Sequence, residues 1–268
     1  MMRKRIAIGL LPLLGVMVLY GVAWVQSHAA MLYYFNPDSP QSNLSRLKRD
    51  MDDFLSKAKF PISFQPFTHL VDFEQQFKGM PPAFIFVPQW YIDKYGAKMK
   101  LQPLLVPVHK GETSYRKILL KTKHPDKDFA KSSSITLAMT SMGPDGDTML
   151  KKTFFSPHGV LADKINPIIV PKDSDALFAL ALGQVDMALV VKNNLDQIAS
   201  LNPNILRTVR PLMESEPIPM PVLCYVEGVA TSEHIEEIKA LFINGNAKKN
   251  RSTIMEMLQI NEWQVITN

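Results

Sequence analysis

Short apolar runs that suit a β-strand alternate along most of this chain with stretches whose apolar residues recur every three or four positions. That alternation restricts the fold more than any other feature. Each strand is followed by a segment able to cover one face of a sheet, which is the pattern of crossover units and of an α/β layered architecture. "MLYYF" (31–35) is the first run, followed by the polar loop "NPDSPQSN". Leu44, Leu47, Met51, Phe54 and Leu55 then fall on one helix face, with Ser42 or Asn43 as N-cap. "ISFQPF" predicts a second strand, "LVDFEQQFKG" a helix ending at Gly79, "AFIFV" a third strand, and "QWYIDKYG" a helix stopped at Gly96.

"LQPLLVPVHKG" and "SYRKILLKT" flank Gly111 and predict the crossing into a second lobe. That lobe holds the strand "SITLAM", the strand "NPIIV", the apolar helix "DALFALALG", the strand "MALVV" and a helix near Leu195 to Leu201. "ILRTVRPL", "SEPIPMP" and "VLCYVEG" lead back to the first lobe, and two helical patterns close the chain. The expected organisation is therefore a lobe of residues 31–111 plus 214–268 and a lobe of residues 112–213, with a cleft between them.

Residues 1–30 stand apart. Arg3, Lys4 and Arg5 precede an uncharged apolar run from Ile6 to Val25, and small residues Ser27, Ala29 and Ala30 follow. This is an export pattern: a signal peptide cleaved before Ala30, or, because the run is long, an N-terminal membrane anchor. Either form places the remainder in the periplasm, with no lysine or arginine between Val25 and Arg46. Without those three basic residues the chain has only about two excess positive charges, too few to point to a nucleic-acid partner. Cys224 is the single cysteine, which excludes an internal disulfide.

Enzyme signatures are missing. There is no GxSxG elbow, HExxH pair, GxxxxGK[ST] loop or CxxC motif, and the six histidines lack ligand spacing. No enzyme activity, cofactor or metal is expected. The informative stretch is "AMTSMGPDG". Thr140, Ser141 and Gly143 fall between a predicted strand and a predicted helix, where backbone N–H groups and short hydroxyls accept anions. The same residues also suit an ordinary helix start, and Asp145 and Asp147 would repel a dianion or pair with a cationic group on a ligand.

Over Met31 to Asn268 the chain resembles the phosphate/phosphite/phosphonate-type periplasmic solute-binding proteins, the substrate receptors of ABC importers. The resemblance is carried by the first strand and its loop, by "AFIFVPQWYIDKYG", by "AMTSMGPDG", and above all by "DALFALALGQVDMALV" with "RTVRPL" beyond it. It implies a type II periplasmic-binding-protein fold of two α/β lobes joined by two hinge strands. It further implies a small anionic or zwitterionic ligand and an ABC permease partner. Matched residue by residue, Thr140 and Ser141 correspond to hydroxyls that grip ligand oxygens, and Tyr91 or Trp90 to an aromatic position after the third strand. Asp186 corresponds to a turn aspartate that faces the ligand's amino group in some relatives; its residue type equally suits a turn that bonds its own backbone. Asn36, Ser39 and Thr68 are placed at the cleft by topology.

Departures concern the ligand more than the fold. Lys172 and Asp173 stand where many relatives carry Ser-His, and Met142 replaces a further hydroxyl. A membrane-tethered sensor or interaction module that keeps the fold without a transport role is the rival reading.

Overall fold

The computed structural model describes residues 30–39, 43–57, 59, 61–123, 129, 132–144, 146, 150, 154, 162–244 and 248–267. Residues 1–29 of the expected export segment 1–30, Asp145, Asp147 and most of the helix expected after "AMTSMGPDG" lie outside them.

Strands β1 (Ala30–Phe35), β2 (Ile62–Phe67), β3 (Phe84–Val87), β4 (Leu101–Val108), β12 (Val222–Val226) and β13 (Glu262–Val265) form one sheet in the order β13-β4-β12-β3-β1-β2. β1 runs parallel to β2 and β3, while β12 pairs antiparallel with β3 and β4. "MLYYF" is apolar throughout because both faces of this sheet are covered. Leu32 and Tyr34 meet the helices α1 (Leu44–Leu55), α6 (Ser232–Asn244) and α7 (Lys248–Met257). Tyr33 and Phe35 meet α2 (Leu70–Gly79) and α3 (Gln89–Met99) on the opposite face. Successive strand side chains point to opposite faces, so one run feeds two cores.

The second sheet, in the order β10-β6-β9-β7-β8, comprises β6 (Lys117–Thr122), β7 (Ile135–Met139), β8 (Ile165–Ile169), β9 (Met187–Val191) and β10 (Val209–Glu214). β7 is parallel to β8 and β9, and α4 (Asp173–Ala181) packs Ala176, Leu177 and Leu180 onto it. Helix α5 (Lys192–Leu201) follows β9 directly. Between the sheets lies a two-stranded ribbon in which β5 (Ser114–Tyr115) pairs antiparallel with β11 (Ile218–Pro219). The chain crosses from β4 to β6 through one strand of this ribbon and returns from β10 to β12 through the other.

Local chemistry explains several boundaries. Asn43 is the cap of α1, its Oδ1 accepting from Arg46 N at 2.9 Å. Gly96 does not end α3. Its missing Cβ would lie 3.2 Å from Ile92 Cγ2, so it serves close packing inside the helix, and Lys100 at φ 55° takes the left-handed terminal position. The last strand, β13, has no counterpart among the sequence expectations: "EWQV" is short and polar on alternate residues, as an edge strand paired only to β4 should be.

Candidate functional site

In both sheets the parallel strands point their C-terminal ends toward the gap between the sheets, where open α/β sheets hold ligands. Asn36, Asp38 and Ser39 follow β1, Thr140 follows β7, and Asn193 and Asn194 follow β9. The loop after β1 is shaped by Asn36, whose Oδ1 accepts from Asp38 N at 3.1 Å and whose carbonyl accepts from Ser39 N at 3.1 Å. This turn aims the Asp38 side chain at the other lobe.

The Asp38 carboxylate is met there by three donors. Lys117 Nζ lies 2.6 Å from Oδ1, Tyr115 OH donates to Oδ2 at 2.7 Å, and Thr140 Oγ1 donates to Oδ1. Lys117 Nζ also donates to Thr140 Oγ1 at 2.8 Å. Lys117 opens β6, a strand whose first four residues are buried, so an unpaired ammonium there would be costly. Its backbone is clamped by Ser215, whose Oγ accepts from Lys117 N at 2.9 Å and whose N donates to Lys117 O at 2.8 Å.

Asp173, the first residue of α4, extends the network. Its Oδ2 accepts from Val191 N at 2.8 Å and from Asn194 Nδ2 at 2.7 Å, while Oδ1 is buried with no hydrogen-bond partner. Burial, against the pull of Lys117 and with the push of Asp38, raises its carboxyl from 3.8 to about 6. Asn194 Nδ2 is also 3.3 Å from the Asp38 backbone carbonyl, which links the Asp173 carboxylate to the loop after β1 through one amide. Burial and the neighbouring Asp38 carboxylate raise the Tyr115 phenol well above its ordinary value, so it is a donor at physiological pH.

Beside this cluster lies a cavity of about 50 Å³ lined by Asn36, Asp38, Tyr115, Asn193 and Asn194, and on its apolar side by Tyr34, Phe86, Met220 and Leu258 among others. The Tyr34 hydroxyl is buried, and burial, against the pull of Ser39 and Asn36, pushes it up to about 12. A wider groove of about 480 Å³, lined by Ser39, Arg46, Lys172, Asp173, Asn194 and Glu256 among others, shares Asn194 with it.

The sequence-derived residues divide into those the fold brings to this gap and those it does not. Thr140 is fully buried within the cluster, and Asn36 and Ser39 line the two cavities. Ser141 Oγ accepts from Gly143 N at 3.3 Å, so its hydroxyl supports the turn. Gly143, at φ 88°, lies against Trp90, and a Cβ there would come within 2.6 Å of Trp90 Cε3. Trp90 is thus the aromatic that reaches the junction. Tyr91 is not: it is wholly buried beside Phe73, and its hydroxyl contacts Met99 Sδ at 3.1 Å, because the helix turns it toward the sheet. Thr68 is exposed and borders an outer groove with Lys172 and Asp175. Asp186 precedes β9, at the end of the strands away from the gap, where Oδ2 accepts from Thr136 N at 2.9 Å and Thr136 Oγ1 at 3.0 Å. It is a turn residue that holds β7 to β9. Asp38, Tyr115, Lys117 and Asn194 were missed. The available signal was Lys117, a charge opening the apolar run "KILL".

Two α/β lobes, a two-stranded hinge ribbon and polar groups converging from both lobes define a two-lobed ligand-binding protein. The chain belongs to the family of ABC-transporter phosphonate periplasmic substrate-binding proteins, whose model matches residues 34–268. No curated protein sequence matches it. Among solved structures it is similar to a binding-protein component of an ABC phosphonate transporter from Pseudomonas aeruginosa, with 14% identity and a TM-score of 0.72 over 89% of this chain and 81% of that one. It is similar to PhnD1 of Prochlorococcus marinus in complex with methylphosphonate, with 10% identity and a TM-score of 0.72 over 89% and 92% of the two chains. It is also similar to a histidine kinase sensor domain related to periplasmic binding proteins, with 15% identity and a TM-score of 0.54 over 88% and 98%. At such identities these likenesses establish the fold, the type II periplasmic-binding-protein fold. The family is one of substrate-binding receptors of ABC transporters, not of enzymes, and its name places such receptors in the periplasm.

Proposed function

We propose that this chain is an exported solute-binding protein that closes its lobes over a small polar solute and delivers it to an ABC permease in the inner membrane. The oxyanion or zwitterion implied by the resemblance, phosphonates first, is the ligand class to test. The observation that carries the reading is the convergence of Thr140 and Lys117 from one lobe, Asp38 from the other and Tyr115 from the hinge on one point of the gap. Such an arrangement couples occupancy of the gap to the relative position of the lobes, and a permease reads that position. The basic and apolar pattern of residues 1–25 supports export. The test is thermal unfolding of the purified chain against phosphate, phosphonates, sulfate, small zwitterions and small amines. A ligand at a hundred times its Kd stabilises by about 2.7 kcal/mol, a shift of a few degrees.

The tethered sensor is the second reading, favoured by the long apolar run and by the likeness to a sensor domain. N-terminal sequencing of the exported protein separates the two: a start at Ala30 supports a free receptor, and a retained Met1 a tether.

A further inference from the structure

We infer that Asp38 is a built-in counter-anion occupying the oxyanion seat of the cleft, so that the solute taken beside it is an uncharged or amine-bearing molecule rather than a phosphonate, phosphate or sulfate. The inference rests on the solute-binding reading above and replaces the oxyanion in its ligand class with an uncharged or amine-bearing solute.

Geometry is the first support. An ammonium and two hydroxyls converging on a point are what an oxyanion needs for charge-assisted hydrogen bonding. Here Lys117 Nζ, Tyr115 OH and Thr140 Oγ1 spend that capacity on the Asp38 carboxylate, which receives them on both oxygens. Thr140 and Lys117 belong to one lobe and Asp38 to the other, so the carboxylate bridges the gap as a bound anion would. The Lys117 side chain is only 1% exposed and Asp38 10%, which leaves little approach for a competing anion.

Charge is the second. Asp38 supplies the only charged side chain among the described residues lining the 50 Å³ cavity. Asp173, buried in the same network, adds a second carboxylate against the one ammonium of Lys117. An anion entering the cavity therefore meets negative charge with no cation among the described residues that line it, in surroundings where screening is weak. The other polar groups at the cavity are of another kind. Tyr34, Asn36, Asn193 and Asn194 line it, and none of them carries a charge. Hydroxyl and amide groups beside a carboxylate suit an uncharged hydrogen-bonding solute or an amine.

Titration calorimetry on the purified chain tests this with methylphosphonate, phosphate and formate on one side and ethanolamine, choline and acetamide on the other. The wild-type protein is expected to give no binding heat with the three anions at millimolar concentration. Asp38→Ala, which empties the seat and leaves Lys117, Tyr115 and Thr140 in place, is expected to bind formate or methylphosphonate at least tenfold more tightly than wild type. The double variant Asp38→Ala/Lys117→Met is expected to lose that gain. Wild-type binding of methylphosphonate or phosphate within tenfold of the variant overturns the inference while leaving the receptor reading intact, and this arm needs no variant to fold. An Asp38→Ala protein that folds but gains no anion also overturns it. A wild-type chain that binds none of the six probes, beside a variant that gains the anions, upholds the role of Asp38 and counts against the receptor reading.

Discussion

Lys117 Nζ and the Asp38 carboxylate meet at 2.6 Å across the gap between the two lobes, with 1% and 10% of their side chains exposed. Seventy-nine positions separate them in sequence, so the tertiary fold, and nothing local, brings them together. Two charges taken out of water recover their hydration only through good geometry and further hydrogen bonds, and Thr140 and Tyr115 provide those bonds.

Breaking the pair from either side should be expensive. Lys117→Met leaves Asp38 buried without its cation, and the loss is expected at about 3–5 kcal/mol in urea unfolding. Lys117→Met combined with Asp38→Leu should recover much of that loss, because no uncompensated charge then remains. A Lys117→Met protein as stable as wild type would show that the pair contributes nothing to the fold.

Asp173 sets a pH dependence whose sign follows from its environment. Its folded carboxyl, raised mainly by burial from 3.8 to about 6, keeps its proton to higher pH than the unfolded chain does. The stability it contributes is therefore full below pH ~4 and lost as pH rises through about 6, a difference of about 3 kcal/mol. Asp173→Asn keeps an acceptor for Val191 N and Asn194 Nδ2 and cannot ionise. The stability of this variant relative to wild type should rise between pH 4 and 7, and a difference flat across that window would refute the assignment.

Gly143 carries two constraints at once. At φ 88° a side chain is strained, and a Cβ would press on Trp90 Cε3 at 2.6 Å. Gly143→Ala is expected to cost about 1–3 kcal/mol. Trp90→Ala in the same chain should restore only the steric part, which urea unfolding of the two single variants and the double variant will measure.

Asp186 tests the division between turn and ligand roles. Removing its carboxylate leaves the Thr136 N–H without its acceptor, so Asp186→Ala should destabilise by about 1–3 kcal/mol. Solute affinity should stay within twofold of wild type, because the residue sits at the strand end away from the gap. A large loss of affinity without loss of stability would return it to the binding site.

The layered fold was legible because burial on both sheet faces leaves continuous apolar strands, and because the one-sided face of α1 with its Asn43 cap is a local signal. Thr140, Asn36 and Ser39 reached the gap by topology, since they follow strands whose C-terminal ends face it. Local signals misled elsewhere. Gly96 looked like a helix stop and is a packing residue. Of the two aromatics that the resemblance offered after the third strand, Trp90 reaches the junction and Tyr91 is buried. The Asp38–Lys117 pair was invisible as a pair, because nothing local ties a loop aspartate to a strand lysine in another lobe. The lysine alone was visible, as a charge that a buried strand has to neutralise.

On the proposed function, a small solute seated beside Asp38, in the cavity that Tyr115 and Asn193 line, draws the two lobes together about the β5–β11 ribbon. Small-angle X-ray scattering of the purified chain, titrated with whichever solute shifts its unfolding, tests this most directly. The radius of gyration is expected to fall on saturation in the wild-type protein and to stay unchanged in Tyr115→Phe at the same solute concentration. A solute that binds with full occupancy while the radius stays constant, or that closes both proteins equally, would contradict it.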